Sequence, residues 1–575
     1  MTNHQFSAIL NTSREGNRLT LIELENVSIS FGATEVLKNI SLQLRDGDKV
    51  GLVGDNASGK STLLKVIAGE LASDSGTVRI AQKSVISYLR QDAVFEPSVT
   101  VRQIFDQFSA TLIRLKQRME ILESQMSEEK NEGCPAKIMD EYGQVQEDFL
   151  WRGGYIYETR RKRVLNELGL SQIDLDLPAA SLSGGQKARV ELACLLLRQR
   201  GDQETGGSPQ TDVLLLDEPD NHLDMTAIEW LERFLRDYRG AFVLVSHNRY
   251  LLDQLVTEIV ELDAGEITRY HGNYSNYINW KKRHMTSQYY AYVNQQHEIE
   301  RLQKSITLLK KWGGEGSKKR ARQARSIQRQ LERMELVEKP DSQRKRIQLD
   351  FEVQKRSGEM VVEVTDLTKS YGDNILFSKA NFNIRWGEHV ALVGANASGK
   401  TTLIKIILGL EPPTSGEVKL GEGLIVSYFD QEMGGLKGER TIFDELQTET
   451  ELTVCDTRYL LVKLFSHRDD AFKKIKDLSG GERNRVILSK LVHSKSNFLV
   501  LDEPMNHLDI ASVEVLEQAL VEFPGTILFA SHDRYLLTRV ANRVIELDNG
   551  EIRFYPGGYE YYLSCNETGE KSKDA

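Results

Sequence analysis

Two eight-residue stretches of the chain have the residue types and spacing that bind nucleotide phosphates. Residues 54–61 and residues 394–401 both fit the pattern G-x-x-x-x-G-K-[ST]. The glycines let the backbone curl so that successive N–H groups point at phosphate oxygens. The lysine can then reach the β- and γ-phosphates, and the hydroxyl after it can bind Mg²⁺. The predicted ATP-binding residues are Gly54, Asp55, Asn56, Ala57, Ser58, Gly59, Lys60, Ser61 and Thr62 in the first stretch, and Gly394, Ala395, Asn396, Ala397, Ser398, Gly399, Lys400, Thr401 and Thr402 in the second.

The residues around each stretch predict a strand before it and a helix after it. Residues 50–53 and 390–393 are short apolar runs, which favour buried strands. Residues 63–69 and 403–407 have the composition of helices. A helix that begins at the loop adds its partial positive charge to the phosphate site. This context makes a chance glycine-rich turn a poor explanation for either stretch.

Paired carboxylates follow two further apolar runs. Asp217 and Glu218 come after residues 213–216, and Asp502 and Glu503 occupy the same place in the second half. A continuous apolar run is typical of a strand buried on both faces of a sheet, and ligands bind at the carboxyl ends of such strands. We predict that each Asp holds Mg²⁺ and that each Glu polarises the attacking water.

Two histidines and two aromatic residues complete the predicted sites. His247 and His532 each follow a strand-like run, and we interpret them as contacts to the γ-phosphate. A buried histidine with satisfied hydrogen bonds is the alternative for a single copy, but the repetition favours the phosphate. Phe31 and Tyr371 lie where we expect the loop after the first strand of each half, and their rings can stack on adenine.

A serine- and glycine-rich run opens a predicted helix in each half. Such a helix start binds anions. This helix start can contact ATP only if another domain brings the phosphates of its bound nucleotide against it. The predicted residues are Ser183, Gly184, Gly185 and Gln186 in the first half, and Ser479, Gly480, Gly481 and Glu482 in the second.

The motifs occur twice in the same order, so the chain is an internal duplication. Their separation falls from 340 positions at the phosphate loops to 296 at the glycine-rich runs and 285 at the acidic pairs, which places two insertions in the first half. The larger insertion, at about residues 107–155, has two helical patterns. They predict either a hairpin standing off the first domain or a helix pair packed on it. The pairs used are Lys60 and Lys400, Gln91 and Gln431, Leu182 and Leu478, Asp217 and Asp502, and Ser246 and Ser531.

Size and composition limit the class of protein. A chain of 575 residues predicts more than one domain. The net charge is −10, so any nucleic-acid binding must come from a local basic patch. The four cysteines are far apart and form no C-x-x-C pair, which fits a reducing compartment. There is no apolar run of membrane-spanning length and the first 18 residues are polar, so we expect a cytoplasmic protein with a loose N-terminal tail.

Residues 277–345 differ from both halves. They predict a long helix with an apolar stripe, a glycine-rich break at residues 313–316 and a second helix over residues 318–336. Between residues 304 and 334 there are ten basic residues and two acidic ones. Such a charge run is either a solvated face or a surface for phosphate backbones. The RNA-binding candidates are Lys310, Lys311, Lys318, Lys319, Arg320, Arg322, Arg325, Arg329 and Arg333.

This set of motifs resembles the ATP-binding cassette superfamily and, within it, the ABC-F family. The resemblance covers residues 21–562 and includes two cassettes without membrane segments, the runs at residues 221–224 and 506–509, and the run at residues 272–277. There are small departures. The second glycine-rich run ends in Glu482 rather than Gln, Asp220 and Met505 stand where the family usually has Thr, and Asn248 stands where Asp is usual. These departures leave the relative hydrolysis rates of the two sites open.

The resemblance implies an α/β fold with two P-loop ABC ATPase domains in tandem, joined by a long α-helical hairpin linker. The expected segments are an N-terminal tail (1–18), a first cassette (19–276), a basic linker (277–345), a second cassette (346–564) and a C-terminal tail (565–575). It also implies head-to-tail closure on two ATPs, with residues 54–61 facing 479–482 and residues 394–401 facing 183–186. The implied Mg²⁺ ligands are Ser61, Gln91, Asp217, Thr401, Gln431 and Asp502.

The implied function is Mg²⁺-dependent ATP hydrolysis by a monomer acting on the ribosome. In the family the linker enters the exit site and touches the P-site tRNA, so we expect contacts to tRNA and rRNA that regulate translation. Protection of the ribosome from an antibiotic is the alternative within the family, although the short tip at residues 313–317 favours a housekeeping or stress role. The energising subunit of a transporter and a DNA-repair ATPase are rivals from other classes.

Overall fold

The structure is a computed structural model, and it describes residues 19–568 with internal gaps. The residues left out within that range are 33, 57, 82–83, 91–94, 97, 129–135, 152–153, 172, 198–210, 222, 312–317, 335–355, 373, 430–437, 450–452, 465–471, 479–482, 484–485, 488, 491–492, 494, 506–507, 509 and 549.

The chain folds into two α/β cassettes with the same order of elements, joined by two helices. The first cassette contains β1 (Thr20–Phe31), β2 (Thr34–Arg45), β3 (Lys49–Val53), α1 (Lys60–Ile67), β4 (Ser75–Ile80), β5 (Val85–Leu89), α2 (Val101–Glu128), α3 (Ala136–Trp151), α4 (Gly154–Glu167), α5 (Gly184–Leu197), β6 (Thr211–Asp217), α6 (Met225–Asp237), β7 (Ala241–Val245), α7 (Arg249–Leu255), β8 (Glu258–Asp263) and β9 (Glu266–His271). The linker contains α8 (Tyr274–Lys311) and α9 (Lys318–Glu332). The second cassette contains β10 (Met360–Tyr371), β11 (Asn374–Arg385), β12 (His389–Gly394), α10 (Lys400–Ile407), β13 (Ser415–Leu420), β14 (Val426–Phe429), α11 (Ile442–Glu449), α12 (Val454–Leu464), β15 (Phe498–Asp502), α13 (Ile510–Glu522), β16 (Thr526–Ala530), α14 (Arg534–Val540), β17 (Arg543–Asp548), β18 (Glu551–Tyr555) and α15 (Tyr559–Thr568).

Each cassette has one large and one small sheet. The large sheet of the first cassette has the order β5-β6-β7-β3-β8-β9, and that of the second has the equivalent order β14-β15-β16-β12-β17-β18. All neighbours are parallel except the last pair of each sheet. The small antiparallel sheets have the orders β2-β1-β4 and β11-β10-β13. The predicted fold class, two P-loop cassettes with a helical linker, is confirmed.

The apolar runs form central strands because both faces of the large sheet are covered. In β6, Leu214 and Leu216 pack into one core while Val213 and Leu215 pack into the core on the opposite face. Burial on both faces removes the need for polar alternation, which is why the run is continuous. The strand ends at Asp217, so the acidic pair lies at the carboxyl edge of the sheet.

The predicted helix pair of the larger insertion is present as α2 and α3. The first turns of α2 belong to the cassette core, where Val101 and Phe105 are buried. Farther along, the two helices pack on each other, and Tyr142 Oη donates a hydrogen bond of 2.8 Å to Glu123 Oε1. The first turns of α2 are therefore part of the first cassette, and beyond them α2 and α3 pack on each other. The smaller predicted insertion, at residues 201–209, lies outside the described residues.

The first helix of the linker begins three residues before the predicted start at Tyr277. Helix α8 starts at Tyr274, directly after the last strand of the first cassette, and continues to Lys311. Helix α9 packs against it, with Leu302 and Ala324 buried. The predicted glycine-rich tip lies outside the described residues. Among the helices that the structure describes, none combines the length and apolar character required to cross a bilayer.

Candidate functional site

The first phosphate loop joins β3 to α1, as predicted. Lys60 is buried, and its Nζ donates hydrogen bonds to Gly54 O at 2.9 Å and to Asp55 O at 2.8 Å. Gly59 ends the loop with φ 103°, and a Cβ there would lie 2.7 Å from Val36 Cγ1. Only glycine adopts this conformation in that space without strain. The loop thereby curls back over its own lysine.

The second phosphate loop has nearly the same geometry. Lys400 Nζ donates to Gly394 O at 2.8 Å and to Ala395 O at 3.0 Å. Gly399 has φ 105°, within 2° of Gly59 in the first loop. Ala397 also has a positive φ of 61°, which is unusual for a residue with a Cβ. The equivalent Ala57 lies outside the described residues.

The glutamates of the acidic pairs have left-handed backbones. Glu218 has φ 51° and Glu503 has φ 48°. Each N–H donates a backbone hydrogen bond to the end of the neighbouring strand, at Val245 O (2.8 Å) and Ala530 O (3.0 Å) respectively. This conformation is costly for a residue other than glycine, and such strain concentrates at functional sites. It turns both carboxylates to the carboxyl edge of the sheet.

In the first site, neighbouring polar side chains contact Glu218. His247 Nε2 lies 3.2 Å from Glu218 Oε1, and Asn221 Nδ2 donates to Glu218 Oε2 at 2.6 Å. Burial alone would raise the pKa of Glu218. The hydrogen bond and charge of His247, with Lys60 and Asn221, outweigh that effect and lower the pKa below its usual value. Glu218 is therefore ionised and able to accept a proton.

In the second site the same group has different surroundings. His532 Nε2 lies 3.4 Å from both Glu503 Oε1 and Lys400 Nζ. Burial raises the pKa of Glu503 to about 7. Burial and the adjacent Lys400 lower the pKa of His532 to about 3, so its ring is neutral. The two sites thus share residue types but differ in electrostatics.

Several buried polar atoms in the loops fit an oxygen-rich ligand with a bound cation. Asp217 Oδ1, Ser58 Oγ and Ser398 Oγ are buried without a hydrogen-bond partner among the described residues. The other oxygen of Asp217 accepts from Tyr88 Oη at 3.4 Å. Buried polar atoms are normally satisfied, so these atoms are suited to phosphate oxygens and a Mg²⁺ ion. Gln91 and Gln431, predicted as further ligands, lie outside the described residues.

The first glycine-rich run opens α5, as predicted. Ser183 N donates to Gln186 Oε1 at 3.1 Å, and Gln186 N donates to Ser183 Oγ at 3.3 Å. This reciprocal capping satisfies two amides of the helix start. The second run, residues 479–482, lies outside the described residues.

A cavity of about 390 Å³ lies between the two cassettes, beside the second phosphate loop. The second cassette contributes Lys400, Glu503 and His532, and the first contributes Asp220 and His247. Ser183 is exposed and does not line this cavity. The first cassette therefore reaches the second site through the segment after its acidic pair, while the predicted approach of residues 183–186 is not seen in this arrangement.

Asp224 is a site residue that the sequence analysis did not identify. Its Oδ1 caps α6 by accepting from Ala227 N at 3.0 Å. Its Oδ2 accepts from Asn396 N, in the phosphate loop of the other cassette, at 3.2 Å. The capping position was readable from the sequence as an Asp before an apolar helix. The contact across the interface was not, because it depends on how the cassettes pack.

The predicted adenine-stacking residues are placed differently from the expectation. Phe31 and Tyr371 are the last residues of β1 and β10, not residues of the following loop. Both side chains are about half exposed, and Lys369 Nζ lies 4.7 Å from the centroid of the Tyr371 ring. Antiparallel pairing continues to the final residue because each strand enters a tight turn at Gly32 or Gly372. Their role in stacking remains a prediction.

Comparison with known proteins identifies the family. Residues 37–221 and 377–506 match the family model described as ABC transporter, and residues 260–351 match a second model with the same description. "ABC transporter F family member 5" of Arabidopsis thaliana is 36% identical over 95% of this chain and 77% of that protein. The chain belongs to the ABC-F family. It is therefore an ATP-binding protein and an ATPase.

Other relatives of this ABC-F protein also match over nearly its whole length. "Putative ATP-binding protein YdiF" of Bacillus subtilis is 39% identical over 95% of this chain and 82% of that protein. "Energy-dependent translational throttle protein EttA" of Escherichia coli K12 is 34% identical over 92% of each chain. Among solved structures, "RNase-L Inhibitor" has a TM-score of 0.59 at 19% identity and covers 95% of this chain and 93% of that chain, which shows a shared fold.

Proposed function

We propose that this ABC-F ATPase acts in the cytoplasm, as a monomer, on the ribosome. The linker contacts tRNA and rRNA there, and the protein regulates translation. The supporting relative is the translational throttle protein, whose alignment includes the linker because it spans 92% of both chains. That relative's name also favours regulation of translation over protection from a drug.

The single observation that carries the proposal is the exposed basic face of α9. Ala324 packs against α8, whereas Arg322, Arg325, Arg329 and Arg333 are exposed. Guanidinium groups in a row suit the regular negative charge of a phosphate backbone. The face belongs to a chain of net charge −10, so its charge is local and opposes the overall balance. A merely solvated helix does not require this segregation. The remaining RNA-binding candidates are Lys310, Lys311, Lys318, Lys319 and Arg320, whose side chains lie outside the described set.

A second basic surface lies on α8, nearer the first cassette. Lys282, Arg283 and Tyr290 line a shallow concavity of about 490 Å³. On the same helix, the rings of Trp280 and His284 stack with centroids 4.5 Å apart. Aromatic rings among cations are typical of surfaces that bind single-stranded nucleic acid. The linker thus offers basic groups along both of its helices.

The proposed chemistry uses the groups at the carboxyl edges of the two sheets. The phosphate loops hold the ATP phosphates through backbone amides, and Lys60 and Lys400 exchange their loop carbonyls for phosphate oxygens. A Mg²⁺ held by Ser61 and Asp217, or by Thr401 and Asp502, supplies charge stabilisation of the phosphates when bound. The proposed catalytic residues are Glu218, Glu503, His247 and His532.

Glu218 and Glu503 orient the attacking water and accept its proton, because each carboxylate lies at the site edge with a histidine beside it. We infer a cycle in which ATP binding brings residues 183–186 and 479–482 over the opposite phosphates, which docks the protein on the ribosome. Hydrolysis then releases it. The contact of Asp224 with the second loop supports a shared site.

The test is co-sedimentation with ribosomes of a Glu218→Gln, Glu503→Gln double variant in the presence of ATP. We expect enrichment over wild type, because hydrolysis can no longer release the bound form. The double change Arg325→Gln, Arg329→Gln in that background should weaken binding and lower the salt slope by about two, since about one counterion is released per phosphate contact. The matched control removes two exposed arginines of the first cassette, Arg79 and Arg118, and should leave binding unchanged. Absence of enrichment, or equal loss in the control, overturns the proposal.

A further inference from the structure

Carboxylates of the first cassette tie down the base of the linker helix, with Glu261 binding Tyr277 and Asp253 binding Ser275. Ser275, in the first turn of α8, donates its N–H to Asp253 Oδ1 at 2.7 Å and its hydroxyl to Asp253 Oδ2 at 2.6 Å. Asp253 lies on α7, the helix that directly follows the loop of His247. A carboxylate that accepts from the first turn of a helix fixes where that helix begins and stabilises its positive end.

A residue of the second cassette binds the same carboxylate. Tyr535 Oη donates to Asp253 Oδ2 at 2.8 Å. Burial and this hydrogen bond raise the pKa of Tyr535 to about 12, so the hydroxyl remains a donor at neutral pH. Tyr535 stands three residues after His532, on the first turn of α14, whose cap is Asp533. The second ATP site is therefore connected to the linker by a short path. It runs along the backbone from His532 to Tyr535 and then through hydrogen bonds to Asp253 and Ser275.

The tyrosine is held firmly in this position. The guanidinium of Arg249 lies 5.0 Å from the centroid of the Tyr535 ring, and that of Arg534 lies 4.8 Å from the centroid of the Tyr250 ring. The two tyrosine rings are 6.4 Å apart, edge to face. Arg249 is in turn paired with the fully buried Glu517. Such reciprocal cation–π contacts make the segments after the two histidines move together.

The connection exists on one side only. The positions equivalent to Asp253 and Ser275 in the second half are Thr538 and Glu560, which cannot form the same contact. Tyr250, the equivalent of Tyr535, has no hydrogen-bond partner for its hydroxyl within the part of the chain that the structure describes. The two halves therefore share the contacts between tyrosine rings and arginine guanidiniums. They differ in that the hydroxyl of Tyr535, and not that of Tyr250, binds the carboxylate at the base of the linker.

We infer that Asp253 is a positioning residue through which the second ATP site controls the base of linker helix α8. A shift of the His532 loop on nucleotide binding moves Tyr535, and Tyr535 and Ser275 share the same carboxylate oxygen. The first ATP site lacks this route, because the Tyr250 hydroxyl does not reach an equivalent carboxylate. The inference concerns the protein alone and does not depend on the ribosome as partner.

Hydrogen exchange of the full-length protein, with and without a non-hydrolysable ATP analogue, tests this. In the wild type we expect the analogue to change amide exchange in the first two turns of α8 by about fivefold or more, the lower range of measured couplings between sites. Tyr535→Phe removes only the hydroxyl and should abolish most of that difference. Tyr250→Phe is the matched control and should retain it.

Two further measurements distinguish a loss of coupling between the second ATP site and α8 from a loss of nucleotide binding. Binding of a fluorescent ATP analogue should be the same in both variants, because neither tyrosine hydroxyl contacts the phosphate loops. Asp253→Thr, which copies the residue of the second half, should also abolish the difference. The inference is overturned if Tyr535→Phe keeps the nucleotide-dependent exchange, or if Tyr250→Phe loses it equally. Because no ribosome is present, a failure of ribosome binding leaves this result unaffected.

Discussion

Replacing Glu517 with Gln tests how much the interface between the cassettes depends on one buried charge. Glu517 is fully buried on α13 and accepts from Arg249 of the first cassette and from Arg539 of its own. Arg249 has only 8% of its side chain exposed, whereas Arg539 is half exposed. Gln preserves the volume of the side chain and one acceptor oxygen, so the change removes charge with little effect on packing.

The magnitude follows from the burial of the two partners. Removing one partner of a buried ion pair costs about 3–5 kcal/mol, because the other charge remains buried without compensation. Arg539 can return to water, so Arg249 accounts for most of the loss, and we expect the lower end, about 3 kcal/mol. For a cassette of this size, about 2–4 °C per kcal/mol gives a fall of roughly 6–12 °C in the melting temperature of the coupled cassettes.

The measurement is differential scanning calorimetry of the full chain, with Glu229→Gln as the control. Glu229 pairs with Arg534 across the same interface at 2.5 Å, with 43% of the Glu229 side chain and 19% of the Arg534 side chain exposed. Water can reach both partners, so the loss of Glu229 should cost less than that of Glu517, about 1 kcal/mol. Adding Arg249→Met to Glu517→Gln should recover part of the loss, because the uncompensated charge is then gone. Equal melting temperatures for Glu517→Gln and Glu229→Gln would refute this account. So would an Arg249→Met, Glu517→Gln double variant whose melting temperature falls by more than the sum of the two single changes.

Two other outcomes are expected. Burial raises the pKa of Glu191 on α5 to about 7, above its value in the unfolded chain, so the wild type loses stability as pH rises from about 4.5 to about 7. Glu191→Gln cannot ionise, and its melting temperature should exceed that of the wild type at pH 8 but match it near pH 4.5; an equal difference at both pH values would contradict this. Gly59→Ala should abolish nucleotide binding at the first site, because the new Cβ would lie 2.7 Å from Val36 Cγ1. Gly69→Ala has a positive φ but open space around it, so it should cost only about 1 kcal/mol of stability and leave nucleotide titrations unchanged.

The parts of the structure that the sequence predicts are those encoded locally. The phosphate loops, the strands before Asp217 and Asp502, and the capped start of α5 each depend on a few consecutive residues. Phe31 was expected in a loop because an aromatic residue before a glycine is compatible with either state. The pairing with Thr34 on β2 decides that it ends the strand.

Contacts between distant segments could not be read from the chain. Asp224 reaches Asn396, and Asp253 reaches Tyr535, only because the two cassettes pack in one particular way. The different electrostatics of Glu218 and Glu503 also escaped prediction, since the local sequences around them are nearly the same. The hydrogen bond and charge of His247 lower the pKa of Glu218, whereas burial dominates at Glu503 and raises its pKa.

The length of α8 gives small movements at its base a large effect. The helix has 38 residues and begins beside the shared carboxylate of Asp253. At 1.5 Å per residue it is a lever of about 57 Å, so a tilt of about 5° at the base sweeps its far end through about 5 Å. Small displacements beside the second nucleotide thus produce shifts at the far end of α8 that are comparable to the pitch of one helical turn.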